Sequence, residues 1–517
     1  MEKYDLCVIG GGPAGYAAAM RAIDFGKKVL LIEKDKLGGY GIYDGALASK
    51  TMWELSNKVK TVREEIGTDN RVELPFSKVK EIINEALFER KFQFSCHLRI
   101  IHSETSLINY EKGIASFISK NEILIQKADG SSVTAYADNT IIATGSHPRT
   151  LDHIKVDEKV ILTSDGILHL DNFPKSMVIL GAGVIGCEFA TMFSNFGRTK
   201  VYLIDRAERI LPFEDEDIAD VVASNLEANG VTIHRGAKLL RMDHLGDEVE
   251  YEIENKDGTK EVIQVEKAML SIGRVPNVSE LGLENCGVEM SKRGVHIGDE
   301  DTRTNIPNIY AVGDVSGHMA LVNVGEREAR HAVVKMFADF PVKPIHYENI
   351  STIMFLNPEV AAVGLNEQKA QELKIPIRVS KIDYSMIARA IAMRKTTGFF
   401  KIIVSDDDDM KVLGMRAVGE HASSAIQSVS LLMYMNKGID ELAHMIHPHP
   451  SIVEGIQECV RMLIGKSIYK SSVFKDKLKC YKRTIDGEIL PLHTLTENSE
   501  ENMNREKMRE MNRTNFN

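Results

Sequence analysis

The clearest pattern along the chain is an apolar run, a glycine-rich turn and a run of small residues, and it occurs twice. The run DLCVI leads into GGGPAG at residues 10–15, and the run MVIL leads into GAGVIG at residues 181–186. In each case a second apolar run follows and ends in an acid, Glu33 or Asp205. An apolar run, a turn, a helix-forming stretch and a second apolar run predict a strand–helix–strand unit.

Both turns have the spacing G-x-G-x-x-G, with the acid 23 residues after the first glycine in one unit and 24 in the other. Glycines allow a tight turn and a close approach to a pyrophosphate, and the helix N-terminus supplies free N–H groups. The acid is suited to accept hydrogen bonds from ribose hydroxyls. Two complete units predict two bound dinucleotides. The residues expected to bind them are Gly10, Gly12, Ala14, Gly15, Glu33 and Lys34 in the first unit and Gly181, Gly183, Val184, Ile185, Gly186, Asp205 and Arg206 in the second.

In the second strand–helix–strand unit, one residue favours NAD(H) and the next residue is compatible with NADP(H). Asp205 would bond the 2′-hydroxyl of an adenosine ribose and repel a 2′-phosphate, which favours NAD(H). Arg206, the next residue, could pair with such a phosphate, which keeps NADP(H) open.

Two further segments belong with the first unit. TIIATG at residues 140–145 is expected to be a strand ending in a small-residue turn that includes Thr144 and Gly145. TNIPNIYAVGD at residues 304–314 looks like the flavoprotein motif whose aspartate, here Asp314, binds the ribityl chain of FAD. The order of these segments around the two glycine-rich turns is more specific than either segment alone.

Composition and charge exclude several classes of protein. The chain has 517 residues, which suggests about three domains at roughly 150 residues each. Its formal net charge of −10 argues against holding nucleic acid or an anionic membrane surface. It contains no uninterrupted apolar run of the ~18 residues that a membrane span needs. The six cysteines are at least 21 positions apart, so zinc-ribbon and disulfide-scaffold spacings are missing, no metal site is expected, and a cytoplasmic location is predicted.

With these motifs in place, residues 1–465 resemble the pyridine nucleotide–disulfide oxidoreductases, and most of all the dihydrolipoamide dehydrogenase and soluble pyridine nucleotide transhydrogenase groups. Three more segments carry the resemblance: SIGRVPN at residues 271–277, NPEVAAVGL at residues 357–365 and HPHPSIVE at residues 447–454.

The resemblance implies an α/β fold with two doubly wound, Rossmann-like domains and a C-terminal α+β dimerisation domain. The expected boundaries are 1–150 for the first part of the FAD-binding domain, 151–275 for the NAD(P)-binding domain, 276–344 for the return to the FAD-binding domain, 345–465 for the dimerisation domain and 466–517 for a polar, partly disordered extension. It also implies a homodimer whose active site is shared across the subunits. The additional residues that it implies for cofactor binding are Gly39, Lys50, Gly113, Thr144, Gly145, Gly273, Asp314 and Val322.

The chain departs from the family at the redox-active disulfide. The segment LGGYGIYDGALASK at residues 37–50 keeps the family's frame, but the two cysteine positions hold Gly41 and Ala46. Neither residue can form a thiolate, so the family's dithiol mechanism has no nucleophile here. Cys7 and Cys187 are the cysteines nearest to the glycine turns, and packing is the favoured role for both.

Four residues of the family's catalytic apparatus are retained. In the family, a lysine and a glutamate pair beside flavin N5, and the matching residues here are Lys50 and Glu188. The resemblance therefore implies that Lys50 stabilises negative charge on the reduced flavin. His449 and Glu454 match the family's acid–base pair. Without its thiol, His449 either protonates a different acceptor, such as a quinone, or persists as a structural group at the dimer interface.

The sequence therefore predicts a homodimeric FAD enzyme that oxidises NADH, with NADPH as the alternative donor, and reduces a small-molecule acceptor other than a disulfide. A quinone or a dye would fit. There are three alternatives. The chain could be a soluble NAD(P) transhydrogenase, a dihydrolipoyl dehydrogenase as its resemblance to that group suggests, or a non-catalytic flavoprotein subunit.

Overall fold

The computed structural model describes residues 2–43, 45–67, 74–298 and 301–492. The tail from Thr496 onward, which is expected to be disordered, lies outside the described residues. In the described part of the chain, no helix is both long and apolar enough to cross a membrane.

The helices and strands are as follows. The helices are α1 (Pro13–Asp24), α2 (Gly39–Ile42), α3 (Ala46–Ile66), α4 (Phe76–Thr105), α5 (Val184–Phe196), α6 (Glu216–Ala228), α7 (Val322–Phe337), α8 (Glu367–Glu372), α9 (Ala388–Ala392), α10 (Ala422–Ala425), α11 (Gln427–Tyr434), α12 (Asp440–His444) and α13 (Glu454–Leu463). The strands are β1 (Glu2–Ile9), β2 (Val29–Glu33), β3 (Ile108–Lys112), β4 (Ile114–Phe117), β5 (Glu122–Gln126), β6 (Ser132–Ile142), β7 (Ser146–Pro148), β8 (Ile161–Leu162), β9 (Ser176–Leu180), β10 (Lys200–Ile204), β11 (Thr232–His234), β12 (Lys238–Leu245), β13 (Glu248–Glu254), β14 (Lys260–Val265), β15 (Lys267–Leu270), β16 (Arg274–Pro276), β17 (Ile309–Ala311), β18 (Ser351–Met354), β19 (Val360–Gly364), β20 (Ile377–Asp383), β21 (Phe399–Ser405), β22 (Val412–Val418), β23 (Leu478–Arg483) and β24 (Ile489–Pro491).

The chain forms two compact units. The first contains the residues up to Ile210 together with Asn229–Tyr347, and the second contains Leu211–Ala228 together with the chain from Glu348. The expected boundaries at residues 150, 275, 344 and 465 remain predictions.

The first unit contains both glycine-rich turns, each at the end of a buried parallel strand. One sheet has the order β3-β2-β1-β6-β5-β4, with β17 also paired to β6. The pairs β1–β2, β1–β6, β2–β3 and β6–β17 are parallel. Because the carboxyl ends of parallel strands lie at one edge, residues 10–15, Thr144 and Gly313 meet there.

The second glycine-rich turn follows β9 in a sheet with the order β11-β10-β9-β15-β8. Its paired strands are parallel, and β9 and β10 are largely buried, as expected for strands covered on both faces. A separate antiparallel sheet, β12-β13-β14, lies in the same unit.

The second unit is built on an antiparallel sheet with the order β18-β19-β22-β21-β20-β23-β24. Residues 478–491, which were expected in the polar extension, form its last two strands, because β23 pairs with β20 through residues 478–483. The side chains of β23 begin with a buried–exposed–buried alternation at Leu478, Lys479 and Cys480. The sheet therefore continues beyond residue 465.

A buried ionic cluster lies within the second unit. Lys401 on β21 is 1% exposed, and its Nζ lies 2.8 Å from Asp215, 2.8 Å from Asp217 and 2.9 Å from Glu367. Tyr481 on β23 donates a 2.7 Å hydrogen bond to Glu367. A buried charge is tolerated when it is paired and hydrogen-bonded in this way. The cluster joins residues 211–228 to the chain that follows residue 348.

Candidate functional site

The two glycine-rich turns share their tightest contact. A Cβ added at Gly15 would lie 1.9 Å from the carbonyl oxygen of Gly10, and one added at Gly186 would lie 2.0 Å from the carbonyl oxygen of Gly181. No side chain fits at such a distance, so the third glycine of each motif is required by the packing of helix against strand.

Both turns present a helix N-terminus without a side-chain cap. α1 begins at Pro13 after Gly12, and α5 begins at Val184 after Gly183. A Cβ added at Gly12 or Gly183 would meet nothing within 4 Å among the described atoms. Uncapped N–H groups beside open space form a cradle for a phosphate, so both turns fit a dinucleotide.

The acid that ends β2, Glu33, and the acid that follows β10, Asp205, are held in the same way. Glu33 accepts from the Gly11 N–H at 2.7 Å through Oε2 and from the Asp35 N–H at 2.8 Å through Oε1. Asp205 accepts from the Ala182 N–H at 2.6 Å and from the Ala207 N–H at 2.8 Å. Each carboxylate oxygen accepts more than one hydrogen bond, so both acids keep capacity for ribose hydroxyls. Of the neighbouring cations, Lys34 and Arg206 are exposed.

Asp314 lies at the carboxyl edge of the first sheet, as the flavoprotein motif predicts. Its Oδ2 accepts a 2.6 Å hydrogen bond from the Ser146 hydroxyl, and Ser146 in turn accepts from Arg274 Nε at 2.7 Å. Thr144 and Asn277 exchange hydrogen bonds of 2.7 and 2.8 Å across the adjoining turn. The segment at residues 271–277 therefore closes onto the predicted flavin site through Arg274 and Asn277.

Three other residues implied for cofactor binding lie around these turns. The Gly113 N–H donates to the Glu33 carbonyl at 3.0 Å. Val322 is the first residue of α7, and Gly273 directly precedes β16. Their positions at the ends of elements agree with a binding edge, and their contacts with a cofactor remain predictions.

The segment that replaces the disulfide region lies directly on the first glycine-rich turn. The Gly38 N–H donates to the Gly11 carbonyl at 2.8 Å, and a Cβ added at Gly39 would lie 3.3 Å from the Gly12 Cα. A Cβ added at Gly41 would lie 2.2 Å from the Pro13 Cγ. The space that a side chain at position 41 needs is therefore occupied by the Pro13 ring.

The two tyrosines of this segment have polar partners that the sequence did not reveal. The Tyr40 hydroxyl donates a short hydrogen bond to Asp165, and the Arg274 guanidinium lies 4.6 Å from the centre of the Tyr40 ring. Lys36 Nζ lies 5.0 Å from the centre of the Tyr43 ring. Both rings carry a cation on their face, which is a favourable arrangement for an aromatic ring. No local motif marks Asp165, so only the three-dimensional contact identifies it.

Lys50 and Glu188 form the ion pair that the resemblance implies. Lys50 Nζ on α3 lies 2.8 Å from Glu188 Oε2 on α5, and their side chains are 31% and 7% exposed. The two helices pack together along their length, and Arg63 on α3 donates to the Asn195 carbonyl at 3.0 Å. A nearly buried carboxylate thus fixes the lysine ammonium in one place, where it can stabilise negative charge.

His449 and Glu454 are paired within the second unit. His449 Nδ1 lies 2.8 Å from Glu454 Oε1, and Glu454 Oε2 accepts from the Ser451 N–H at 2.9 Å. Partial burial raises the pKa of Glu454, but the Ser451 N–H and the His449 ring outweigh that effect and lower it. Because a carboxylate only accepts, it fixes the proton on Nδ1 and leaves Nε2 as the atom for proton exchange.

The cysteines do not supply a replacement thiolate. Four of them, Cys7, Cys187, Cys459 and Cys480, are buried. Complete burial raises the pKa of Cys187, and its Sγ donates weakly to the Ala182 carbonyl at 3.4 Å. A thiol that stays protonated is a poor nucleophile. In the described part of the chain, no group of three or more His, Cys, Asp or Glu residues could hold a metal ion.

Comparison with known families gives two matches that together cover most of the chain. Residues 4–329 match the family described as "Pyridine nucleotide-disulphide oxidoreductase", and residues 350–460 match its "dimerisation domain".

Individual relatives agree with these matches. The chain is 33% identical over 489 residues to a dihydrolipoyl dehydrogenase of Bacillus subtilis, covering 90% of this chain and 99% of the relative. It is 32% identical over 478 residues to the mitochondrial dihydrolipoyl dehydrogenase of Schizosaccharomyces pombe, covering 90% and 91%. Among solved structures, the Cu(II) complex of the HOCl-induced flavoprotein disulfide reductase RclA from Escherichia coli aligns with a TM-score of 0.79 at 26% identity over 89% of this chain and 100% of the other. LpdA from Mycobacterium tuberculosis aligns with a TM-score of 0.80 at 26% identity over 89% and 99%.

Proposed function

Since the chain belongs to the pyridine nucleotide–disulphide oxidoreductase family, we propose that it oxidises NADH through FAD and passes the electrons to an acceptor other than a disulfide. The family itself establishes a flavin-dependent pyridine nucleotide oxidoreductase that uses FAD and NAD(H). These predictions, together with the α/β fold class and its C-terminal dimerisation domain, are confirmed. The dimerisation domain indicates a homodimer. An active site shared across subunits and a cytoplasmic location remain predictions.

The proposal about the acceptor depends on residues 41 and 46. They are glycine and alanine, so neither side chain carries sulfur. The Pro13 ring occupies the space beside Gly41, and burial raises the pKa of both Cys7 and Cys187, the cysteines nearest in sequence to the glycine-rich turns. Reduction of a disulfide requires a thiolate that attacks sulfur, and this part of the chain offers none.

The remaining residues suffice for hydride chemistry. FAD, when bound, accepts a hydride from NADH and releases two electrons to the next acceptor. The chain positions the two nucleotides at its glycine-rich turns, and Lys50, fixed by Glu188, stabilises the negative charge that arrives with the hydride.

A quinone acceptor would also need protons. It takes up two electrons and two protons to become a quinol, whereas the hydride brings only one proton. His449, with its tautomer fixed by Glu454, is the proposed donor of the second proton through Nε2. The other role for His449, a structural group at the dimer interface, predicts no proton transfer.

The test is an anaerobic NADH titration followed by a panel of acceptors. NADH should bleach the flavin absorbance without the long-wavelength band of a thiolate beside oxidised flavin. A quinone should then turn over, and lipoamide should not. A lipoamide rate comparable to the quinone rate would overturn the proposal, as would failure of NADH to bleach the flavin, which favours a non-catalytic subunit.

The role of His449 is tested with His449→Gln and two acceptors that differ in their need for protons. The variant should lose more of the quinone rate than of the rate with ferricyanide, which accepts electrons only. A loss of general acid catalysis typically costs ~10²–10⁴-fold. Equal losses with both acceptors would instead support the structural role.

Soluble transhydrogenation is a second candidate, because the exposed Arg206 beside Asp205 offers a partner for a 2′-phosphate. Here the acceptor would be a second nicotinamide nucleotide. NADPH mixed with a thio-NAD analogue tests it directly, and absence of turnover removes this candidate.

A further inference from the structure

Glu328 is a fully buried carboxyl group that contacts the predicted flavin site and takes no part in the proposed chemistry. It lies on α7 with 0% exposure. Its Oε2 accepts a 2.7 Å hydrogen bond from the Gly313 N–H, and its Oε1 accepts a 3.0 Å hydrogen bond from the Tyr347 hydroxyl. Gly313 directly precedes Asp314, so the carboxyl group fixes the turn that presents the predicted ribityl ligand.

The helix α7 packs closely against this turn at Gly325. A Cβ added at Gly325 on α7 would lie 3.2 Å from the Gly313 Cα and 3.3 Å from the Ala14 Cβ. Ala14 belongs to the first turn of α1, which begins at the first glycine-rich turn. The carboxyl group therefore lies between α7 and the edge that binds the flavin.

The ionisable groups around Glu328 come from each element packed there. Asp314 lies on the following 3-10 turn and is 3.9 Å from Arg274. The ring of His318 lies 4.2 Å from that of Tyr347. One and two turns further along α7, His331 and Lys335 lie 3.9 and 3.6 Å from Asp301. The ionisable residues of α1 are engaged elsewhere, Tyr16 with His97 and Arg21 with Asp24.

These surroundings give Glu328 an unusual protonation equilibrium. The pKa of Glu328 is raised to about 7 as the net result of four effects: burial, the largest, and the Asp314 charge raise it, whereas the Gly313 N–H and the Tyr347 hydroxyl lower it. Near neutral pH the group therefore stands close to its midpoint, where a small change in local charge alters its protonation.

We propose that Glu328 is a positioning residue of the flavin site that takes up one proton from solvent when the flavin is reduced. A hydride leaves NADH with two electrons and one proton, so NAD⁺ forms and one negative charge is added at the site. The Glu328 carboxylate then gains a proton from water and becomes neutral. The charge added by the hydride is thus compensated inside the protein, and no other reactant is needed.

Tyr347 allows both protonation states with the same contacts. When Glu328 is ionised, the Tyr347 hydroxyl donates to Oε1. When Glu328 is protonated, the carboxylic acid donates to the Tyr347 oxygen, since a phenol both donates and accepts. The Gly313 N–H remains bonded to Oε2 in either state, so the turn at Asp314 stays in place.

The experiment is to measure proton uptake while the holoenzyme is reduced anaerobically by NADH in weakly buffered solution with a pH-indicator dye. Uptake from Glu328 should be small well below pH ~7, where the group is already protonated, and should rise above pH ~7. It should decline again at higher pH, where the reduced enzyme also leaves the carboxylate ionised. The uptake should be lost in Glu328→Gln and retained in the matched control Glu326→Gln, an exposed glutamate on the same helix.

Uptake by Glu328→Gln equal to that of the wild type would overturn the proposal. If that variant fails to bind FAD, Tyr347→Phe is the second test. Removing the Tyr347 donor removes a contact that lowers the pKa of Glu328, so the uptake should shift to higher pH. An unshifted profile counts against the proposal.

The inference rests on FAD as the cofactor and not on the identity of the final acceptor. If NADH does not reduce the flavin, the same protein is reduced by photoreduction instead of by NADH. A difference in proton uptake between wild type and Glu328→Gln under photoreduction would support this role even where the NADH proposal fails.

Discussion

The two glycine-rich turns have the same internal construction but different coverings. In the first, the segment at residues 37–41 lies on the turn, with Gly38 bonded to Gly11 and Gly41 against Pro13. The space beside Gly183 in the second turn is open among the described atoms, as is the space beside Gly12 in the first, so the difference lies in the segment at residues 37–41. This difference agrees with the proposal that the first turn holds FAD, which stays bound, and the second holds NADH, which enters and leaves with every turnover.

The largest expected effect comes from the third glycine of each turn. Gly15→Ala places a Cβ 1.9 Å from a backbone oxygen, which is more severe than the ordinary overpacking that costs ~1–3 kcal/mol. We expect the protein to be purified without flavin, as measured by the ratio of absorbance at 450 and 280 nm, roughly the flavin and protein maxima. Gly186→Ala should retain FAD and lose reduction by NADH. Loss of FAD from both variants would mean that the two turns do not act separately.

The next largest difference between the two turns is expected in how FAD and NAD⁺ change the melting temperature. A ligand present at ~1,000 times its Kd stabilises the folded state by about 4 kcal/mol. Stripping FAD should therefore lower the melting temperature strongly, and adding NAD⁺ to the holoenzyme should raise it only slightly. Equal shifts for the two ligands would contradict the difference in covering.

Filling the covered space should cost more stability than filling the open one. Gly41→Ala directs a Cβ at the Pro13 ring, and we expect the free energy of unfolding to fall by about 1–3 kcal/mol. Gly183→Ala is the matched control, because its Cβ meets nothing within 4 Å. Urea denaturation of both holoenzymes would measure the difference, and equal losses would show that the segment at residues 37–41 does not press on the turn.

The smallest effect is expected from the paired acids. Asp205→Asn should weaken NADH binding by about tenfold, or ~1.4 kcal/mol, because a charged acceptor of ribose hydroxyls is lost. Glu33→Gln should leave FAD bound, because the segment at residues 37–41 still covers the first turn. The KM for NADH and the flavin content of the purified variants test both expectations.

The sequence predicted the features that short motifs encode and missed the contacts between residues that are far apart in the chain. Gly10, Gly15, Gly181 and Gly186 form the turns that the motif predicts, because the motif itself describes local backbone geometry. The pair Lys50 and Glu188 is separated by 138 residues, and only the family resemblance brought it forward.

The missed contacts share a physical reason. Tyr40 bonds Asp165 across 125 residues, and the environment of Glu328 arises from burial between α7 and the Gly313 turn. A polar residue in a sequence does not reveal whether tertiary packing will bury it. The strands β23 and β24 were missed because their many charged residues suggest a solvated tail, although the alternation at residues 478–480 is a signal for a strand.

The buried cluster at Lys401 has a consequence for how this enzyme can be divided. Residues 211–228, which include α6, run in the chain between β10 and β11, two neighbouring strands of the sheet that carries the second glycine-rich turn, yet Asp215 and Asp217 pair with a lysine nearly two hundred residues later. A contiguous fragment that holds this sheet would separate the two acids from their counter-ion. Such a fragment would therefore not be self-sufficient, and recombination between relatives would have to exchange α6 and the sheet of the second unit together.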